Sequence, residues 1–247
     1  MSLPSILVIN PNTTASVTEA MCTHAQRIWA GQAQVHAATA AWGAPYISDE
    51  ASFAVGAHAA LDAWARVIQT GARPDAVLVG CFGDPGLLAL RHSSSAPVTG
   101  LAEAAFAEAA AVGRFAIVTG GAHWPPMLAR WVAQCGWADR CAGTVAVSLT
   151  GAQLAAQPEQ AKQLLLQACL QVQQQWAVDA IILGGAALAG MAAALQPSVV
   201  LPLVDSVEAG ARAVLNLAGG PRPARTRNGF DVAWQGLGSA MTDLGLR

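Results

Sequence analysis

Short apolar runs alternate with longer amphipathic stretches along this chain. Runs bounded by glycine, asparagine, serine or proline predict strands at 5–9, 34–38, 76–79, 115–119, 143–148, 180–183 and 199–203. Apolar residues recurring every three to four positions predict helices at 14–29, 48–70, 101–111, 124–135, 158–176 and 206–217. Thr14, Asp49 and Ser206 stand where N-caps belong. Strands that alternate with helices build parallel sheets, so the fold class is α/β.

The pattern also occurs twice. Ile6-Leu7-Val8-Ile9-Asn10 matches Phe115-Ala116-Ile117-Val118-Thr119, each an apolar strand ending in a polar residue before a helix. Val77 to Cys81 likewise matches Ile181 to Gly185. An internal duplication predicts two pseudo-symmetric Rossmann-like lobes with mainly parallel sheets and an active-site cleft between them. The first lobe is expected over 1–100, with about 205–247 returning to it, and the second over 101–204. The glycine-, proline- and arginine-rich tail from 219 to 247 receives no element.

Composition narrows the partners. The 247 residues are 54% hydrophobic and only 11% charged, which supports packed helices on sheets and excludes a disordered chain. A net charge of −2 offers no basic footprint for nucleic acid and no polybasic membrane patch. The expected partner is therefore a small molecule. The weakly charged region 180–204 is broken by glycines, Pro197 and Pro202 and flanked by Asp179 and Asp205, so it does not predict a membrane span. The start runs straight into the first strand without the features of a secretory signal, and a cytoplasmic location is expected. Five cysteines at irregular spacings form no CxxC pair and predict reduced thiols.

The candidate chemistry sits at strand ends, where open α/β sheets bind ligands. The strand at 76–79 runs into Gly80-Cys81-Phe82-Gly83-Asp84-Pro85-Gly86, which delivers a thiol into a tight turn. Backbone N–H groups of Phe82 and Gly83, and a helix expected from Pro85, predict a lowered thiol pKa and first reaction with alkylating agents. Cys22, Cys135, Cys141 and Cys169 fall in helices or beside a connection and read as structural. Asp84 is either a cap preceding Pro85 or an acid that orients the Cys81 loop. Asn12, Thr13 and Thr14 either cap the first helix or contact ligand. Thr119 and Gly120 offer a hydroxyl and close backbone approach to a carboxylate or ring carbonyl, or ordinary turn chemistry. His123 is either a proton donor or a solvated helix-start residue. Gly185 and Ala186 offer backbone N–H groups to an anion. No P-loop, GxGxxG after a strand, GxSxG or HExxH is present, so no nucleotide, metal or other cofactor is expected.

Four stretches carry a family resemblance: Ile9-Asn10-Pro11-Asn12-Thr13-Thr14, Gly80-Cys81-Phe82-Gly83-Asp84-Pro85-Gly86-Leu87, Thr119-Gly120-Gly121-Ala122-His123-Trp124-Pro125-Pro126-Met127-Leu128, and Ile182-Leu183-Gly184-Gly185-Ala186-Ala187-Leu188-Ala189-Gly190. Through them the chain resembles the aspartate/glutamate/hydantoin racemase superfamily, in its hydantoin and allantoin racemase branch. The resemblance implies a cofactor-independent racemase or isomerase acting on an amino acid, a hydantoin or a similar carbon acid. One cysteine from each lobe would face the substrate, one thiolate removing the α-proton and the other thiol returning a proton to the opposite face. Cys81 occupies the first of these positions, and Gly185 stands at the second. Two alternatives follow from that difference. One is a one-cysteine decarboxylase or other lyase, as in the superfamily's arylmalonate decarboxylases, whose thiol matches the second position. The other is a ligand-binding protein without turnover. The ligand implied carries a carboxylate or a hydantoin-like ring, and a homo-oligomer is expected.

Overall fold

The computed structural model describes residues 3–225 and 227–246; Met1, Ser2, Thr226 and Arg247, which fall in the expected start and tail, lie outside the described residues. Two four-stranded sheets, all parallel, carry the fold. The first contains β1 (Ser5–Asn10), β2 (Gln34–Thr39), β3 (Ala76–Val79) and β4 (Val98–Gly100), in the order β2-β1-β3-β4. The second contains β5 (Phe115–Gly120), β6 (Cys141–Val147), β7 (Ala180–Gly184) and β8 (Leu203–Asp205), in the order β6-β5-β7-β8. The two orders are the same when each sheet is counted from its own first strand. The paired sequence motifs therefore occupy equivalent places, Asn10 and Thr119 ending the first strand of each sheet.

The central strands are apolar on both faces because helices cover both. Ile6, Leu7, Val8 and Ile9 are fully buried, as are Ala116, Ile117 and Val118, which is why they read as continuous runs rather than alternating ones. The helices between the first strands are α1 (Ala15–Trp29), α2 (Glu50–Gln69) and α3 (Leu87–Ser93). Then α4 (Leu101–Val112) leads into the second sheet, whose strands are joined by α5 (Trp124–Gln134), α6 (Gly151–Ala156), α7 (Pro158–Gln175) and α8 (Met191–Leu195). Finally α9 (Ser206–Ala218) packs on α1, α4 and β3, and α10 (Ser239–Asp243) packs on α2. The Trp29 indole donates to the Ala211 carbonyl at 2.9 Å, fixing α9 against α1.

Several expectations need correction. The last strand is Leu203–Asp205, not 199–203, because Gln196–Ser198 forms a 3-10 turn and Pro202 precedes the pairing residues. The strand expected at 143–148 begins two residues earlier, at Cys141. The strand β4 and the helices α3, α6, α8 and α10 are too short to leave a periodic signal, and they were absent from the expected elements. Of the expected caps, Asp49 forms a full capping box with Ser52. Thr14 holds the cap position of α1 without a side-chain cap bond. Ser206 is instead the first helical residue of α9, with Asp205 accepting from the N–H groups of Val207 and Glu208.

The tail closes over the first sheet. Phe230 meets Trp64 of α2 edge to face at 5.7 Å between centroids, and Trp234 meets Phe230 in the same way at 5.6 Å. A second aromatic series joins the sheets: Phe82, just past β3, packs edge to face on Phe106 of α4, which stacks on Phe115 at the start of β5. The Phe82 ring also lies against Gly184 so closely that a methyl group there would overlap it. Gly184→Ala is therefore expected to lower stability by about 1–3 kcal/mol, read from the urea midpoint. Gly219→Ala, where the nearest atom to a new methyl is the Asn216 carbonyl at 3.9 Å, should change it by no more than about 0.5 kcal/mol.

Candidate active site

The carboxyl ends of β1, β3, β5 and β7 meet at one cavity of about 70 Å³, roughly five times the ~10–15 Å³ that a single buried water requires. Asn12 enters it from the β1 end and Cys81 and Phe82 from the β3 end. Thr119 and Gly120 enter from the β5 end, and Gly185 and Ala186 from the β7 end. Three other expected residues lie off the cavity. Thr13 is half-buried, with its N–H bonded to the Ala44 carbonyl at 3.1 Å. Gly83 lines a separate cavity beside Asp84 and Trp124. His123 is exposed at the start of α5, so it is not placed to serve as a proton donor in the cleft.

At the β1 end, asparagines hold the loop. Asn10 Nδ2 donates to Asn12 Oδ1 at 3.0 Å and to Thr18 Oγ1 at 2.9 Å. The Thr14 N–H also donates to Asn12 Oδ1, at 2.9 Å. With two donors on Oδ1, the Asn12 amide can face only one way, and its Nδ2 donors are left for the cavity. At the β5 end, the Thr119 hydroxyl donates to the Gly184 carbonyl at 2.7 Å, tying β5 to β7. Its proton is thus committed within the protein, and what it can offer a ligand is an acceptor oxygen.

The β7 turn is held by the junction of β8 and α9. Gly185 N–H donates to Ser206 Oγ at 3.1 Å, and Gly190 N–H donates to Asp205 Oδ2 at 2.7 Å. The expectation that Gly185 offers its N–H to an anion is therefore corrected, because Ser206 already receives it. Among the described residues, the N–H groups of Phe82, Ala186 and Ala187 meet no protein acceptor, and all three residues line the cavity. Gly185 itself has φ +148°, a backbone conformation that side chains other than glycine rarely adopt.

Cys81 is 8% exposed. Burial pushes its thiol well above the ordinary thiol range, and the neighbouring Asp84 carboxylate pushes it further in the same direction. This overturns the expected lowered pKa. The turn does supply N–H groups, but burial without a cation outweighs them. Asp84 also differs from expectation. It caps no helix at Pro85, since α3 begins at Leu87 after Gly86. Its carboxylate accepts from the N–H groups of Ala102 and Glu103 at 2.9 and 2.8 Å, the first turn of α4, and from the Trp131 indole of α5 at 3.0 Å. Burial lifts Asp84 to about 7 against these three donors, with Glu103 adding to the rise.

Of the wall facing these strand ends, sequence reasoning missed the part that α6 supplies. Tyr46, Ile47 and Ser48 line the wall from the loop before α2, and Thr150, Gly151 and Leu154 from the start of α6. The Thr150–Gln153 capping box is a readable signal for α6, the two side chains satisfying each other's backbone N–H. Of the side chains lining the cavity, Cys81 and Tyr46 are the titratable ones; Asp, Glu, Lys, Arg and His are absent from the lining among the described residues. Among the described residues no cluster of metal-ligating side chains is present, and no helix is long and apolar enough to cross a membrane.

Comparison with known proteins gives a consistent result. Residues 6–214 match the family described as Asp/Glu/Hydantoin racemase. The chain is 30% identical over 213 residues to a hydantoin racemase from Paenarthrobacter aurescens, covering 86% of this chain and 90% of that one. It is 30% identical over 219 residues to a hydantoin racemase from Rhizobium meliloti, covering 87% and 88%. In three dimensions it is similar to an allantoin racemase from Klebsiella pneumoniae, with a TM-score of 0.82 and 30% identity over 87% of this chain and 88% of that one.

The electrostatics of the Cys81 turn can be tested with Asp84→Asn. An amide cannot accept from all three donors, so stability should fall by about 1–3 kcal/mol. The lost negative charge should lower the Cys81 pKa and speed its alkylation by iodoacetamide at pH 9, read by mass spectrometry. In the unaltered protein burial also raises the Cys141 thiol, but the Gly143 backbone and Arg114 oppose that rise and the residue is only half-buried, so Cys141 should be labelled before Cys81. The folded Asp84 carboxyl holds its proton up to about 7, against 3.8 ordinarily. Its contribution to stability is thus complete below pH 3.8 and declines as pH rises toward 7. Asp84→Asn should flatten that part of the profile.

Proposed function

The chain belongs to the Asp/Glu/Hydantoin racemase family, and on that premise we propose that it moves the α-proton of a small, uncharged cyclic ureide such as a hydantoin, with Cys81 as the acid–base group on one face. The observation that carries this reading is the lining of the cleft. Among the described residues it holds one thiol, and no charged side chain lines it. A zwitterionic amino acid would need partners for its ammonium and carboxylate on entering such a site, because burying unpaired charge is costly. A neutral ring needs only hydrogen bonds, which Asn12 Nδ2, the Thr119 oxygen and the unpartnered backbone N–H groups can supply.

In the proposed reaction, the Cys81 thiolate takes the hydrogen of the ring carbon as a proton. The electron pair of the broken C–H bond moves toward the adjacent carbonyl, leaving an enolate oxygen that accepts from backbone N–H groups. Return of the same proton from the Cys81 thiol restores the original stereoisomer. Inversion requires delivery from the other face. We assign Gly185 to that face, in the position where the family resemblance implies a second thiol; a glycine supplies no proton, so water is the donor left there. A high proton affinity makes the Cys81 thiolate a strong base while keeping its population low. Turnover is therefore expected to rise with pH.

Solvent exchange separates the steps. In D₂O the protein should wash deuterium into the ring carbon of a 5-substituted hydantoin faster than optical rotation is lost, and Cys81→Ala should abolish both. The exchange rate should rise about tenfold per pH unit through pH 9. Gly185→Cys should raise racemisation relative to exchange, at a stability cost of about 1–3 kcal/mol for a side chain at this backbone conformation. Binding without any exchange would establish a protein that holds the ring without turning it over, and exchange that survives Cys81→Ala would refute the assignment of the base.

A further inference from the structure

The cleft has two neighbouring cavities, and they are unequal candidates for the part of a substrate that does not fit inside it. One lies behind the Phe82–Gly83 turn, and Trp124 is the one residue whose side of the cleft it shares. The other, of about 260 Å³, shares Val17, Tyr46, Ala186 and Ala187 with the cleft. These four shared residues give the outer cavity the longer common wall with the cleft. A substituent on the reacting carbon must leave a cleft of about 70 Å³ somewhere, and this is the neighbouring space that adjoins it most widely.

The chemistry of the outer cavity is apolar. Beyond the shared wall it is lined, among the described residues, by Ala20, Ala155 and Ala189, with Ser16 and His24 as its polar side chains and no carboxylate, lysine or arginine. Small side chains leave room, and they give no hydrogen-bond partner to a polar group. His24 sits at the edge of this space with its ring packed against Gly190.

Tyr46 stands at the neck, and its backbone is held on both sides. The Ala44 carbonyl accepts from Thr13 N–H and the Pro45 carbonyl from the Thr14 hydroxyl, at 3.1 and 2.7 Å. After it, Ile47 is buried with its tip against Gly56, and the Asp49–Ser52 capping box ends the loop. The ring reaches across to Gly151 at the start of α6. A tyrosine fixed in this way sets the width of the passage instead of yielding to each ligand.

We propose that Tyr46 is a specificity-determining residue and that the outer cavity takes an alkyl or aryl substituent carried by the reacting carbon. The inference rests on reading the cleft as the site of a cyclic carbon acid. Filling the outer cavity should penalise a large substituent more than a small one, by the margin that apolar pockets give for lost volume.

The test uses full-length protein with Cys81→Ser, so that binding is read without turnover, and calorimetry with 5-methylhydantoin and 5-benzylhydantoin. Ala20 is exposed on α1, so Ala20→Trp should fold. It should lower the benzyl-to-methyl affinity ratio by about tenfold. Tyr46→Trp, which narrows the neck itself, should lower the ratio in the same direction and serves if the first variant fails to fold. An unchanged ratio in a folded variant, or no binding of either ring, overturns the proposal. Deuterium exchange on the same two compounds by the Cys81 protein is scored separately. Exchange with an unchanged ratio rejects the outer cavity alone, and a lowered ratio without exchange rejects the catalytic reading alone.

Discussion

The buried Asp84 carboxylate is the constraint on which the cleft depends. It leaves the Cys81 turn, accepts from the N–H groups of Ala102 and Glu103 in the first turn of α4, and accepts from the Trp131 indole of α5. One side chain thereby ties the end of a first-sheet strand to the helix entering the second sheet and to a helix of that sheet. The arrangement dictates other residues. Gly100 must lack a side chain because the Asp84 carboxylate occupies the space a methyl would fill. Asp84 itself adopts φ +56°, a left-handed conformation that short polar side chains tolerate better than most.

The same constraint raises the proton affinity of the thiol. Burial disfavours the thiolate and the nearby carboxylate adds to this, while among the described residues no lysine or arginine lines the cleft to compensate. The cleft is thus built for a neutral resting state, which matches a neutral ligand and a base formed only in small amount. Phe82 extends the constraint across the interface, its ring lying on Gly184 and meeting Phe106 edge to face, and Phe106 in turn stacks on Phe115. Hydrogen bonding at one end and aromatic packing at the other hold the two strand ends at a fixed spacing.

Much of this was legible in the chain because it depends on local pattern. Ile6 to Asn10 and Phe115 to Thr119 are recognisable as buried parallel strands, since a strand covered on both faces must be apolar throughout. The matching glycine-ended runs at 77–81 and 181–185 marked both sides of the cleft, since backbone turns at strand ends need glycine. The short elements were not legible: three residues of β4 or five of α8 carry too little periodicity to stand out from a loop. Thr150, Gly151 and Leu154 were missed as cavity residues for a different reason. Their neighbours in the cleft are distant in sequence, and only the docking of one loop on another brings them there.

The sequence by itself determined the α/β class, the duplicated strand pattern and the placing of Cys81 and Gly185 at strand ends, because each follows from the spacing of residues a few positions apart. Tertiary structure alone decided which polar groups remained free. Ser206 takes the Gly185 N–H, Gly184 takes the Thr119 hydroxyl, and Asn10 orients the Asn12 amide. It also decided the sign of the Cys81 shift. A helix-start turn favours a thiolate when water or a cation accompanies it, but burial beside Asp84 reverses that preference, and burial belongs to the assembled fold.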